Sequence, residues 1–268
     1  MTSILTNNGA MVALQTLSSV NSNLDESQTQ ISTGKRVNGA KDNSAVWAIS
    51  KNMESDISAY ESVQDSLDFG AATVGVASAG MEQIVETLKD MRDLVVSGIS
   101  QNVDHAQIEA DLANKRETIT SIISSASFNG ANLLDSGTTA QLDVLGGLDS
   151  SAPITVAGVD TTADVITAMG NTLSATNADT VMTEIETALG NAIGHAATFG
   201  AADNRLTDQK EFVSKLTDSM KTGVSAMTDT NMEEASARLK ALQTQQQLAV
   251  QSLTIANQNP STLQQLFR

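Results

Sequence analysis

Residues 35–50 read KRVNGAKDNSAVWAIS, and the division of the chain turns on this stretch. It gathers the sole tryptophan, Trp47, with Lys35, Arg36 and Lys41, in a chain that has only 15 Lys and Arg among 268 residues. Long helical patterns stop before it and restart after it. Gly34 and Gly39 suit the end or the bending of a helix, because glycine accepts the left-handed conformation that closes a last turn. Asp42, Asn43 or Ser44 suits the start of the next helix, where a side-chain oxygen accepts from unpaired N–H groups. Trp47 then falls in the first turn or two of that helix, where its ring can cover the joint. Lys35, Arg36 and Lys41 are either solvated charges or an electrostatic dock for an acidic neighbour.

Downstream of the joint, steps of four and three from Met53 reach Ile57, Tyr60, Gln64, Leu67, Ala71, Val74, Ser78, Met81, Val85, Leu88, Arg92, Val95 and Ile99. Such a row is a coiled-coil seam. As one helix it is about 70 Å long at 1.5 Å per residue. A shorter partner follows, with Ile108, Leu112, Ile119, Ile122 and Ala126 on one face, Asp104 as its cap and Gln107 at capping-box spacing. The same steps toward the C-terminus give Met182, Ile185, Leu189, Ala192, Ala196, Phe199, Asp203, Leu206, Lys210, Val213, Thr217, Met220, Val224 and Met227. Two long seams and a short one make a bundle.

The ends repeat the design on a smaller scale. Ala10, Ala13, Leu17, Val20, Leu24 and Ile31 form one stripe with Ser27 as its gap; Leu239, Leu242, Ala249, Leu253 and Ala256 form another with Gln246 as its gap. Thr230 and Glu233 have capping-box spacing before the second. The breaks lie at nearly equal distances from the two ends, so the terminal segments can pair side by side. Between the arms the heptads disappear. Asn129-Gly130 is a turn dipeptide, AQLDVLGG and APITVAG look like short strands, and residues 135–178 suit an exposed cap. The fold class expected is mainly α: a long helical coiled-coil bundle formed by both chain ends, with a small β-hairpin and irregular central segment.

Composition narrows the function. The net charge of −16 opposes sequence-independent binding of nucleic acid, which needs clustered cations. No stretch reaches the roughly 18 apolar residues of a membrane span, and the N-terminus lacks the basic and apolar regions of a secretory signal. Without cysteine there is no disulfide and no thiol chemistry. His105 and His195 each sit inside a helical pattern, no glycine-rich phosphate loop follows a strand, and Asp143, Asp149, Asp160 and Asp164 lack the spacing of a calcium loop. No enzyme activity, catalytic residue, cofactor or metal is expected.

The residues resemble bacterial flagellin at both ends. STGKRVNGAKDNSAVWAIS is similar to the family's N-terminal signature between two helices; SFNGANLL resembles the turn that closes the first arm; GAADNRL resembles the entry to the last long helix. SLTIANQNPSTLQQLFR resembles the flagellin C-terminus. Asn43 stands where a second Asp is usual, and Val46 and Trp47 replace a Gly and a smaller neighbour, a version similar to flagellins of alphaproteobacteria.

The resemblance implies a structural subunit of the flagellar filament, a helical homopolymer for swimming, with a hook-filament junction protein as the alternative. It implies residues 1–43 and 229–268 as an inner tube, 44–134 and 179–228 as a surrounding shell, and a short outer segment at 135–178. Arg36, Asn38 and Asp42 match the joint between tube and shell, beside Trp47; Leu263, Leu266, Phe267 and Arg268 match the extreme C-terminus. The implied partners are other copies, the flagellar type III export apparatus, an export chaperone, the filament cap and hook-junction proteins, with no nucleic acid and no membrane insertion. The implied location is the extracellular filament, reached by secretion. Residues 1–33 and 231–268 are expected to be disordered in the monomer and to fold on assembly. LKDMRDLVV at 88–96 is similar to the stretch that an animal innate-immune receptor recognises in some flagellins, with Asp90 where recognised members have Arg, so weak activation is expected.

Overall fold

The computed structural model describes residues 7–99, 103–149, 153–174 and 176–266. In chain order it forms α1 (Asn8–Thr33), α2 (Ser44–Gly98), α3 (His105–Ser125), β1 (Gln141–Val144), β2 (Ile154–Ala157), a π-helical turn Thr162–Ile166, a 3-10 turn Thr167–Met169, α4 (Ala178–Thr228) and α5 (Met232–Leu266). The chain divides into two units, residues 57–218 and residues 1–56 with 219–268, and α2 and α4 run through both.

The 57–218 unit holds the main core. On α2 the buried row is Leu67, Gly70, Val74, Ala77, Met81, Ile84, Leu88, Met91, Val95 and Gly98, a regular alternation of three and four. The expected seam therefore shares only every second residue with it. Ala71, Ser78 and Val85 are half-buried, and Arg92 and Ile99 are exposed. The reason is phase: from Leu67 the helix returns to the core after three residues and then four, and the opposite order turns each intermediate position about 100° away. On α4 the expected row holds well, with Ile185, Leu189, Ala192, Phe199, Leu206 and Val213 buried and Ala188 beside them. Lys210 of that row is exposed and pairs instead with Asp68 of α2. On α3, Leu112, Ile119 and Ala126 are buried as expected, and Ile123 takes the core position next to half-buried Ile122. Asp104 caps α3, its Oδ1 accepting from the N–H groups of Ala106 at 3.0 Å and Gln107 at 3.2 Å.

The two expected strands form an antiparallel pair in which Leu142 faces Val156 and Val144 faces Ile154. Their buried side chains Val144, Ile154 and Val156 join the helical core, as do Val165, Met169 and Leu173 beyond them. The central segment is therefore not wholly an exposed cap, since one face of it closes the bundle. Gly70 permits this approach: a Cβ there would lie 2.5 Å from Val144 Cγ2.

Candidate assembly joint and terminal helix pair

An α-helix ends with carbonyls that have no partner inside the helix. At the end of α4 the joint supplies those partners. The backbone N–H groups of Arg36 and Val37 donate to Thr228 O at 2.6 and 3.2 Å, and Arg36 Nη2 donates to Met227 O at 2.8 Å. A guanidinium at a helix C-terminus also faces the negative end of the macrodipole. Across the same place Thr230 N–H donates to Gly34 O at 3.0 Å, and Lys35 and Asp229 form an antiparallel bridge. Gly34 closes α1 at φ 70°, a conformation that glycine adopts without strain. The reversal after α1 and the reversal after α4 are thus stitched to each other.

The joint also separates the roles of its candidate caps. Asn43 is the residue that caps α2, accepting from Val46 N–H at 3.1 Å, while its carbonyl accepts from Trp47 N–H at 2.9 Å. The Asp42 carboxylate works one step earlier: Oδ2 accepts from the backbone N–H groups of Asn38 at 3.0 Å and Gly39 at 2.9 Å and so rigidifies the loop. Asn38 takes part through its backbone, its side chain being exposed. Trp47 is half-buried in the first turn of α2. Arg36 docks on carbonyls rather than on an acid. Lys35 lies 3.7 Å from Glu54, and Lys51 lies 2.5 Å from the same carboxylate. The Lys51 hydrogen bond, with the charges of Lys51 and Lys35, lowers the Glu54 pKa below its usual range. Lys41 is exposed and solvated. Sequence reasoning missed Val37, which is buried under the joint, and the α4 carbonyls. The lone apolar residue between Arg36 and Asn38 was the available signal.

Within the same unit, α1 and α5 pack antiparallel along the expected stripes. Ala13, Val20 and Leu24 are buried on α1, and Leu242 and Ala249 on α5. The two positions read as gaps are occupied productively. Ser27 is small enough to be buried in the seam, and Gln246 Nε2 donates to Asn21 Oδ1 at 2.8 Å across it. Asn7 ties the far end, accepting from Ala10 N–H at 3.1 Å and donating Nδ2–H to Ala256 O at 2.8 Å. The cap of α5 is Asn231, which accepts from Glu233 N–H at 3.1 Å, rather than the expected Thr230. Leu263 and Leu266 lie within α5, but their side chains are outside the described residues, as are Phe267 and Arg268 altogether.

The pair leaves much apolar surface open. Met11, Val12 and Leu14 on α1, and Leu248, Val250 and Ile255 on α5, are exposed. The histidines have structural partners: His105 Nε2 bonds Gly98 O at 2.9 Å at the end of α2, and His195 Nε2 bonds Asp164 Oδ2 at 2.9 Å. Asp160 accepts from Ala163 N–H at 2.9 Å at the π-helical turn, and Asp143 accepts from the Gln141 amide. Among the described residues no group of three or more His, Asp or Glu is arranged to hold a metal ion.

Comparison with known proteins agrees with this architecture. The family profile of the bacterial flagellin N-terminal helical region matches residues 4–139, and that of the C-terminal helical region matches residues 182–267. Flagellin FljM of Caulobacter vibrioides is 38% identical over 272 residues, covering 100% of this chain and 99% of its own. A flagellin of Brucella melitensis is 39% identical over 282 residues, covering 100% of both. Among solved structures, Bacillus cereus flagellin aligns with a TM-score of 0.52 at 21% identity, covering 55% of this chain and 88% of its own. A putative flagellar hook-associated protein from Vibrio parahaemolyticus aligns at 0.54 and 16% identity, covering 69% and 100%. These two structures share the fold with this chain. With both family regions matched in order and full-length relatives above 30% identity, the chain belongs to the bacterial flagellin family.

Proposed function

We propose that the chain builds the flagellar filament by burying, between copies, the apolar surface that one copy leaves open on its terminal helices. Family membership makes it a structural subunit of the filament that drives motility, and the family is one of structural proteins. The observation that carries the assembly reading is the set of exposed apolar residues around the α1–α5 pair, Met11, Val12 and Leu14 on α1 and Leu248, Val250 and Ile255 on α5. A face repeated on every copy, and meeting a different face of the next, generates an open helical polymer.

In this reading residues 1–43 and 229–268 form the tube around the central channel, 44–134 and 179–228 the shell, and part of 135–178 the outer surface. Arg36, Asn38 and Asp42, with Trp47, form the joint between tube and shell, and the hydrogen bonds from Arg36 to the end of α4 support this role. Leu263, Leu266, Phe267 and Arg268 complete the tube. Residues 1–33 and 231–268 order fully on assembly, when contacts between copies offset the entropy of fixing them. Such a chain suits export unfolded by the flagellar type III apparatus with its chaperone, then addition beneath the filament cap on hook-junction proteins, outside the cell. The absence of cysteine and the shallow terminal seam support that route. Membership of the filament family disfavours the hook-filament junction reading. Asp90 is held by Lys115 at 2.6 Å, and an acid there supports weak activation of the innate-immune receptor in a reporter-cell assay.

Removing residues 260–268 tests the proposal. Seeded growth followed by negative-stain microscopy is expected to give no filaments, while the 57–218 bundle keeps its helical signal. Regular filaments from that truncation would contradict it.

A further inference from the structure

The sequence contains the triplet Asn-Gly-Ala three times, at Asn8-Gly9-Ala10, Asn38-Gly39-Ala40 and Asn129-Gly130-Ala131. An asparagine followed by glycine is chemically labile. The backbone nitrogen of the glycine, unhindered by a Cβ, attacks the side-chain Cγ; its proton passes to solvent base, and the side-chain nitrogen leaves as ammonia. Water then opens the cyclic imide at either carbonyl, leaving aspartate or isoaspartate, with no change of oxidation state. Because all three triplets carry the same following residues, their intrinsic rates should be similar. Structure then decides which one reacts.

The three settings differ in what holds the attacking nitrogen. Gly9 lies in the first turn of α1, within the terminal segment that the proposed function orders only on assembly, so in the unassembled chain its rate reports that ordering. Gly39 donates its N–H to Asp42 Oδ2 at 2.9 Å, and Asn38 donates its own N–H to the same oxygen. A carboxylate acceptor opposes loss of the proton and fixes the backbone on both sides of the reacting bond. The third setting has neither restraint. Asn129 and Gly130 are the tip of a two-residue turn at φ 51° and 85°, flanked by the Phe128–Ala131 hydrogen bonds of 2.9 and 3.0 Å. Both residues are exposed, nothing lies within 4 Å of where a Gly130 Cβ would stand, and neither the Asn129 amide nor the Gly130 N–H has a hydrogen-bond partner among the described residues.

We infer that Asn129 is a site of spontaneous deamidation in this protein, and that the Asp42 carboxylate protects the identical triplet at the joint. Isoaspartate at position 129 inserts a methylene into the backbone and breaks the Phe128–Ala131 pairing. That turn borders a groove lined by Phe69, Thr73 and Val144, so the damage lands on a groove of the bundle.

The test is peptide mapping by mass spectrometry of the full chain, incubated at mildly alkaline pH in native buffer and in strong urea. In native buffer Asn129 is expected to convert before Asn38, which lags by about tenfold, the factor that a charge-assisted hydrogen bond of ordinary strength imposes. In urea Asn38 and Asn129 should converge. The variant Asp42→Ala should raise conversion at Asn38 by about tenfold and leave Asn129 unchanged. A native chain in which Asn38 converts as fast as Asn129 would overturn the inference, as would a lead of Asn129 over Asn38 that persists undiminished in urea. A rate at Asn38 unmoved by Asp42→Ala would overturn the protective role.

Discussion

The 57–218 bundle and the α1–α5 pair are built from the same heptad arithmetic but finished to different degrees. In the bundle, Met81, Ile84, Leu88, Met91 and Phe199 are each 0% exposed. In the pair, Val20 and Leu24 retain 8% and Leu242 7%, and Met11, Val12 and Leu14 of α1 with Met232, Leu248, Val250 and Ile255 of α5 are exposed. Helices gain most of their stability from packing one face against something. The bundle meets that requirement with a continuous buried core, although Phe69 and Phe212 stay exposed on its surface, whereas the pair buries only a narrow seam. The difference separates a region with a fully buried core from one whose seam is shallow, and the proposed assembly completes the second.

Truncating one side chain in each region sharpens the contrast. Phe199→Ala should destabilise the bundle by about 3–5 kcal/mol, the usual range for an aromatic removed from a packed core, read by chemical denaturation of the unassembled chain. Leu242→Ala should leave that denaturation curve nearly unchanged and instead raise the critical concentration for filament growth, measured by sedimentation. Equal effects of the two on the unassembled chain would erase the distinction. At the joint, Arg36→Ala removes the guanidinium from the Met227 carbonyl, and about 1 kcal/mol is expected from the lost hydrogen bond and dipole interaction. Arg36→Lys should recover part of it.

The smallest effect is electrostatic. Glu54 has a folded pKa below its ordinary 4.5, first through the Lys51 hydrogen bond and then through the charges of Lys51 and Lys35. A depressed carboxylate stabilises the fold above its unfolded pKa and loses that contribution as pH falls through the folded value. Glu54→Gln should therefore be slightly less stable than the parent at neutral pH and converge with it in acid, a difference kept small by solvent exposure. A gap that widens toward acid pH would reverse the sign.

Much of this division was legible in the sequence because heptads state their own period. On α4 the heptad positions Ile185, Ala192, Phe199, Leu206 and Val213 recur every seven residues and are buried, while Ala196 and Asp203 between them are half-buried and Lys210 is exposed. On α2 one row was found and the other missed by one residue. Ala71 and Val85 are apolar enough to imitate a seam, and the polar Ser78 and Arg92 in that row were the sign of the wrong phase. At the joint, three consecutive residues are competent caps, and only geometry assigns Asn43 to α2 and Asp42 to the loop. Backbone carbonyls such as those of Met227 and Thr228 leave no mark in sequence, so the partners of Arg36 could not be read from it. The central segment was seen as strands but not as part of the core, because Val144, Ile154 and Val156 are too few to show a period.

Amide hydrogen exchange, compared between dilute unassembled chain and seeded filament, tests the conditional character of the terminal pair most directly. The expected result is rapid exchange at 8–33 and 232–266 in the unassembled chain, strong protection of both in the filament, and slow exchange along 67–95 and 185–213 in either state. Uniformly slow exchange of both terminal helices in dilute solution would mean that the pair is complete in one copy, and the account of assembly would fail.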